Sequence, residues 1–227
     1  MLPLSHQREK PKAEISSSQG ELERKLEEKT REYKLLFFNT MDALIAALES
    51  KDKYTAGHSQ RVSKIAVVIG EELGLSEDEI EELRWASLLH DIGKIAIDPS
   101  IQNKPGKLDA EEYIQMRNHV NVAPDIVKWL VSDDAVEIIR HHHDRYNGTG
   151  FEQTIRGEKI PLGARIIAVA DSYDAMTSDR PYRKAMSVNE ALAELERCNG
   201  SQFDPSVVRA FLKVVASESW DFVAGMV

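Results

Sequence analysis

The chain has 227 residues, a formal net charge of −9 and 42% hydrophobic residues, enough for one domain with a core of its own. That acidic balance gives no electrostatic footprint for duplex nucleic acid or an anionic membrane surface. A single cysteine, Cys198, excludes an internal disulfide framework, and no run of about 18 uncharged apolar residues exists to insert into a membrane, so a cytoplasmic protein is expected.

Residues 1–19 are polar, with Pro3, Pro11 and the run Ser16-Ser17-Ser18, and are expected to form a disordered tail or linker. Over residues 20–50 the spacing predicts a helix in which Leu22, Leu26, Tyr33 and Phe37 share a stripe. An isolated helix of this kind is marginal in water, so the stripe packs either on the domain or on a second copy, as a homodimer. "HSQRVSKIAVVIGEEL" predicts a helix stopped at Gly74, and Ser76–Glu79 is a capping box for the next. Asp109–Glu112 and Ser187–Glu190 repeat that start signal, and Asp204 before Pro205 is a further cap. "GARIIAVADSYDAMTS" is apolar enough for a buried strand or helix, and its length favours helix. Strand alternation, internal repeats and a dinucleotide-binding glycine pattern are all missing, so the fold class is all-α. One irregular stretch runs from Tyr146 to about Ile160, and residues 216–227 form a C-terminal tail. Trp85, Trp129 and Trp220 are expected in the core or as partly buried packing residues; "NKPGKL", with Lys104 and Lys107, is a turn before a helix or the edge of a phosphate pocket.

Six of the seven histidines lie between His58 and His143, interleaved with acids on predicted helices. Neutral imidazole and carboxylate are natural ligands for divalent iron, manganese or zinc. Adjacent helix positions diverge by about 100°, so His90 and Asp91 converge on one centre only near a helix end, where Gly93 lets the chain bend. A lone histidine is more often packed or solvated than a ligand. The ordered set carries the argument: His58, then His90-Asp91-x-x-Lys94, then a histidine pair and Asp171.

"LLHDIGK", "IQNKPGKL", "HHHDRYNGTGF" and "GEKIPLGARIIAVADSYDAMTSDRPYR" together resemble the HD-GYP family of bacterial cyclic di-GMP phosphodiesterases, over residues 40–215. The resemblance implies an HD-type helical bundle around a dinuclear metal site, with cyclic di-GMP cleaved to pGpG or GMP by a hydroxide bridging the metals. It assigns His58, His90, Asp91, His119, His142, His143 and Asp171 as metal ligands, with Asp91 bridging. Lys94 resembles the lysine that meets the scissile phosphate, and Arg180 and Arg183 resemble the residues that hold the ligand's phosphate or guanine. Two divalent ions are implied, iron first and manganese next. A third is not, because Tyr54 stands where some members have glutamate. Asp174, one turn after Asp171, is either support behind the ligands or an ordinary salt-bridge acid, and His141 has no assigned role.

The sequence departs from the family pattern at several points. Gly150-Phe151-Glu152 replaces Gly-Tyr-Pro, and Asp144, Asn147 and Val120 stand where the family usually has glutamate, aspartate and proline. The 147–152 loop is linked in the family to ligand placement and to docking of cyclic di-GMP synthases or other signalling proteins, and Glu152 adds a negative charge there. The alternatives are a signalling module that has lost catalysis and a phosphohydrolase acting on another nucleotide. Family members often carry an upstream receiver or sensor domain. Either that domain is absent or the sequence is a fragment, with the 20–50 helix as a dimerising connector.

Overall fold

The structure, a computed structural model, describes residues 9–51, 56–150, 155–179, 184–217 and 220. Tyr54, Phe151, Glu152, Arg180, Arg183 and most of the expected C-terminal tail lie outside the described residues. Among the described residues there are helices and no strand, with one isolated bridge between Asn199 and Phe203. The all-α expectation holds, and no helix among the described residues is long and apolar enough to cross a membrane.

The chain divides into two compact units, 1–44 and 45–227. The first helix, α1, spans Glu9–Glu49 and so begins upstream of the expected boundary at Gly20. Each serine costs such a helix only a few tenths of a kcal/mol, and Pro11 falls in the first turn, where its missing N–H leaves no bond unmade. Within the first unit Leu22, Leu26 and Tyr33 are exposed at 69%, 67% and 69%. Lys25–Glu21 and Lys29–Glu32 ion pairs, at 2.7 and 2.6 Å, run along the same helix.

In the second unit, α2 (His58–Glu72) and α3 (Glu77–Leu89) are followed by a 3-10 turn at Ile92–Ala96. Short α4 (Pro99–Gln102), α5 (Ala110–Arg117) and α6 (His119–Val127) lead to α7 (Asp133–His141). A second 3-10 turn at Gly157–Lys159 precedes α8 (Leu162–Thr177), α9 (Val188–Arg197) and α10 (Pro205–Val215). The capping boxes at Ser76–Glu79, Asp109–Glu112 and Ser187–Glu190 form with both reciprocal bonds, and Asp204 caps α10 ahead of Pro205.

The ambiguous apolar run becomes α8, which packs on α2, α7, α9 and α10. Ile166, Ile167, Val169 and Ala170 are all fully buried, so α8 is apolar around most of its circumference because it is surrounded. Tyr173, Phe211 and Trp220 form a mutual edge-to-face cluster beside it, with ring centroids 4.9–5.6 Å apart. Trp85 and Trp220 are buried as expected, but Trp129 is not: it is 85% exposed in the turn between α6 and α7. Lys128 lies 5.9 Å over its ring, and apolar character alone does not fix burial. Lys104 is bound to Glu112 at 2.5 Å, which ties the "NKPGKL" turn to α5.

Candidate metal centre

Three helix ends and two helix starts meet where the histidines converge. His90 is the C-cap of α3 (φ −53°, ψ −36°), and Asp91 leaves the helix at φ −97°, ψ 2°. The end of the helix therefore lets the neighbouring pair face one interior. Gly93 does not serve as a bend: a Cβ there would lie 2.0 Å from the carbonyl oxygen of His119. Its missing side chain lets the 3-10 turn press against the start of α6, which brings His119 to Asp91.

Two groups of donors result. His58, His90 and Asp91 form one, and Asp91, His119, His142 and His143 form the other. Asp91 belongs to both. Its Oδ2 lies 3.4 Å from His90 Nε2 and 3.8 Å from His58 Nε2, while its Oδ1 lies 3.6 Å from His119 Nε2. Asp171, on α8, places Oδ1 3.4 Å from His58 Nε2. Lys94 Nζ donates to Asp91 Oδ2 at 2.6 Å.

The far side of each ring is also held. His90 Nδ1 pairs with the carbonyl of Ser87 (2.7 Å), His119 Nδ1 with that of Met116 (2.7 Å) and His142 Nδ1 with that of Ile139 (2.6 Å). These contacts fix Nδ1 as an N–H and turn Nε2 inward. His58 opens α2 and faces Asp174 instead, Nδ1 to Oδ2 at 2.7 Å. Arg61, one turn along α2, holds Asp174 with Nε (2.5 Å) and Nη2 (3.1 Å). Burial opposes the charge on Asp174, but His58 and Arg61 outweigh it and keep its pKa low. Asp174 is therefore support behind His58 rather than a surface acid. Glu49 caps the same helix start, accepting from the N–H groups of Gly57 (2.7 Å) and Ser59 (3.0 Å). Gly57 sits at φ 72°, which glycine adopts without strain.

Buried Nε2 atoms of His90, His119 and His142, and Asp91 Oδ1, have no hydrogen-bond partner. Four such atoms around one interior are costly unless something cationic satisfies them. Burial holds His119 below its usual pKa and His142 well below it, the latter helped by neighbouring His143. Burial and then His119 push His143 down to about 3, so these three rings offer lone pairs at neutral pH. Burial also disfavours charge on His90, but adjacent Asp91 outweighs it and raises His90 to about 9. Asp91 stays ionised well below the carboxylate range despite burial, chiefly because of Lys94 and then His90. An ionised carboxylate among inward lone pairs suits divalent metal with nitrogen and oxygen ligands.

His141 stands outside both groups: its Nδ1 is 2.7 Å from Asp144 Oδ2, and Asp144 is buried. Beside the cluster lies a cavity of about 400 Å³, whose walls include His142, His143 and Asp171 together with Arg117, Arg145 and Tyr113. Sequence reasoning missed Arg117, Arg145, Arg61 and Glu49. Arg61 carried a signal, since it follows His58 by one turn; Glu49 carried none.

The HD domain family matches residues 42–207. The cyclic di-GMP phosphodiesterase response regulator RpfG of Xanthomonas campestris is 40% identical over 178 residues, which are 77% of this chain and 47% of that protein. A cyclic di-GMP phosphodiesterase of Thermotoga maritima is 38% identical over 196 residues, 85% of this chain and 53% of that one. The crystal structure of a cyclic GMP-AMP specific phosphodiesterase of V. cholerae, V-cGAP3, shares the fold at TM-score 0.60 and 23% identity, covering 79% of this chain and 49% of that chain. The chain spans about half the length of the curated relatives it matches. With the His90-Asp91 pair inside a matched segment that takes up most of its length, the chain belongs to the HD domain family, in its HD-GYP branch.

Proposed function

We propose that the chain is a metal-dependent phosphodiesterase that hydrolyses cyclic di-GMP to pGpG or GMP. The observation that carries this reading is the position of Asp91: one buried, ionised carboxylate shared by two groups of inward-facing imidazoles. In this reading His58, His90 and Asp171 complete one site, His119, His142 and His143 the other, and Asp91 bridges them. Iron is the first candidate and manganese the next, because all the donors are nitrogen or oxygen. A bound pair of such cations would supply charge stabilisation at a phosphoryl oxygen and a water acidified toward neutrality.

The chain's own residues do the rest. Asp91 keeps its charge in the interior, and the backbone carbonyls behind His90, His119 and His142 hold each ring in one tautomer. Lys94, its ammonium 2.6 Å from Asp91, sits at the edge of the cluster to neutralise charge growing on the phosphoryl oxygens. Arg180 and Arg183 are assigned to phosphate or guanine on the family resemblance. The names of the Xanthomonas and Thermotoga relatives support cyclic di-GMP as substrate, and a cytoplasmic location accords with an intracellular messenger. The exposed Leu22, Leu26 and Tyr33 support a homodimer through α1. The 147–152 loop is the proposed contact for synthases or other signalling proteins.

The test is turnover. Protein loaded anaerobically with iron, or with manganese, is expected to convert cyclic di-GMP to pGpG or GMP, followed by chromatography. Full metal occupancy without turnover refutes the reading. Because the V. cholerae structure is of a cyclic GMP-AMP specific enzyme, the hybrid dinucleotide belongs in the same panel.

A further inference from the structure

We propose that the cavity beside His142 and His143 seats the second phosphate of a cyclic dinucleotide, the one not being cleaved, between Arg117 and Arg145. The inference rests on the phosphodiesterase reading above and adds the part of the substrate gripped away from the reacting bond. The cavity is about 400 Å³, and His142, His143 and Asp171 join it directly to the donor cluster. Arg117 ends α5 two residues before His119, and Arg145 follows His143 by two residues. The turns that aim imidazoles into the cluster thus also carry guanidinium groups to the cavity beside it.

The lining carries two guanidinium groups and two carboxylates, and both carboxylates face histidines. Of the two carboxylates lining the cavity, Asp144 is engaged by His141 at 2.7 Å, and Asp171 faces His58 at 3.4 Å. The two guanidinium groups are the cations of the lining, and planar paired donors match a phosphodiester. A cyclic dinucleotide carries two phosphodiesters in one ring, so placing one at the metals brings the other close by.

The seat is also preorganised. Tyr146 N–H donates to Gln202 O (3.1 Å) and Asn147 N–H to Ser201 O (2.9 Å), pinning the segment after Arg145 to the turn before α10. Gly150 packs so closely that a Cβ there would lie 2.4 Å from the Arg145 nitrogen. On the other wall Arg117 lies 5.9 Å over the ring of Tyr113, a half-exposed aromatic that leaves a face for a base. The fixed backbone of the Arg145 wall reduces the ordering cost of binding.

The experiment compares two substrates on the metal-loaded protein. Cyclic di-GMP has a second phosphate, and bis(p-nitrophenyl) phosphate does not. Arg145→Ala and Arg117→Ala are each expected to raise KM for cyclic di-GMP about tenfold, the loss of one charge-assisted contact, while kcat/KM for the simple diester stays at the wild-type value. Calorimetry with a hydrolysis-resistant bis-phosphorothioate of cyclic di-GMP is expected to show the same loss of affinity, and Arg145→Lys to restore part of it. Equal losses on both substrates would overturn the seat, since the arginines would then only be holding His119 and His143 in place. Unchanged KM and affinity would overturn it too. The two readings fail separately. Wild-type turnover of cyclic di-GMP with no variant effect removes the seat alone. A wild type that binds the analogue through these arginines but never cleaves cyclic di-GMP removes the phosphodiesterase reading alone.

Discussion

The N-terminal end of α2 and the C-terminal ends of α3, α5 and α7 solve one problem with different chemistry. Each must hold an imidazole so that Nε2 faces inward. At a helix C-terminus the last carbonyls have no partner within the helix, and His90, His119 and His142 each use one three residues back. A helix N-terminus offers only unpaired N–H groups, which an imidazole N–H cannot use. His58, at that end, therefore needs an acceptor from elsewhere, and α8 supplies Asp174, backed by Arg61. Three histidines are held by backbone that forms with the fold. The fourth is held by a side chain, so it can be detached without breaking a helix.

The largest effect comes from removing what both regions share. Asp91→Ala takes away the carboxylate common to the two donor groups. Metal analysis is expected to fall to near zero equivalents and turnover to background, whereas His58→Ala and His143→Ala each lose one equivalent. If Asp91→Ala kept two metals, the two groups would not be joined through it.

Asp174→Asn acts on one side only. The amide cannot supply the charge that His58 and Arg61 now share, and losing support of this kind typically costs about 10–100-fold in metal affinity. The weaker site is expected to be the one His58 belongs to, with the His119–His142–His143 site unchanged, as read by two-step metal titration. Equal weakening of both steps would erase the distinction between the two regions.

The contrast also explains how much was legible in the sequence. The helices announced themselves through Ser76–Glu79, Asp109–Glu112, Ser187–Glu190 and Asp204, because caps are local chemistry. The donors His58, His90, Asp91, His119, His142 and His143 were legible as an ordered set, and the structure brings them together. Backbone acceptors such as Ser87 O carry no sequence signal, since any residue has a carbonyl. Glu49 was invisible for another reason: the capped N–H groups lie eight and ten residues on, far outside the spacing of any local cap. Trp129 misled because burial depends on where a turn falls, and the chain turns outward between α6 and α7.

In metal-free protein, pH should pull on the donors in opposite directions. His143, held down to about 3 against an ordinary 6.5, stabilises the fold above pH 6.5, and that contribution is lost as pH falls toward 3. His90, raised to about 9 by Asp91, contributes below pH 6.5 and loses that contribution as pH rises through 9. Urea midpoints of the metal-free protein are therefore expected to peak between those limits and decline on both sides. Bound metal should flatten the alkaline decline, because it replaces the proton on His90. A midpoint that rose steadily with pH through 9 would contradict the His90–Asp91 pairing.

The smallest effect separates the helix start from the ring it carries. Glu49→Gln keeps an oxygen for Gly57 or Ser59 but removes the negative charge from the N-terminus of α2, an interaction typically worth about 0.3–1 kcal/mol. For a domain of this size that is a Tm loss of a few degrees at most. Asp174 still holds Nδ1 of His58 in this variant, so the ring stays oriented even if the turn beneath it loosens. Metal affinity should then fall far less than in Asp174→Asn, and the double variant should lose more than the two singles added, because both supports act on one residue. Strict additivity in that cycle would mean that Glu49 steadies the helix without steadying His58.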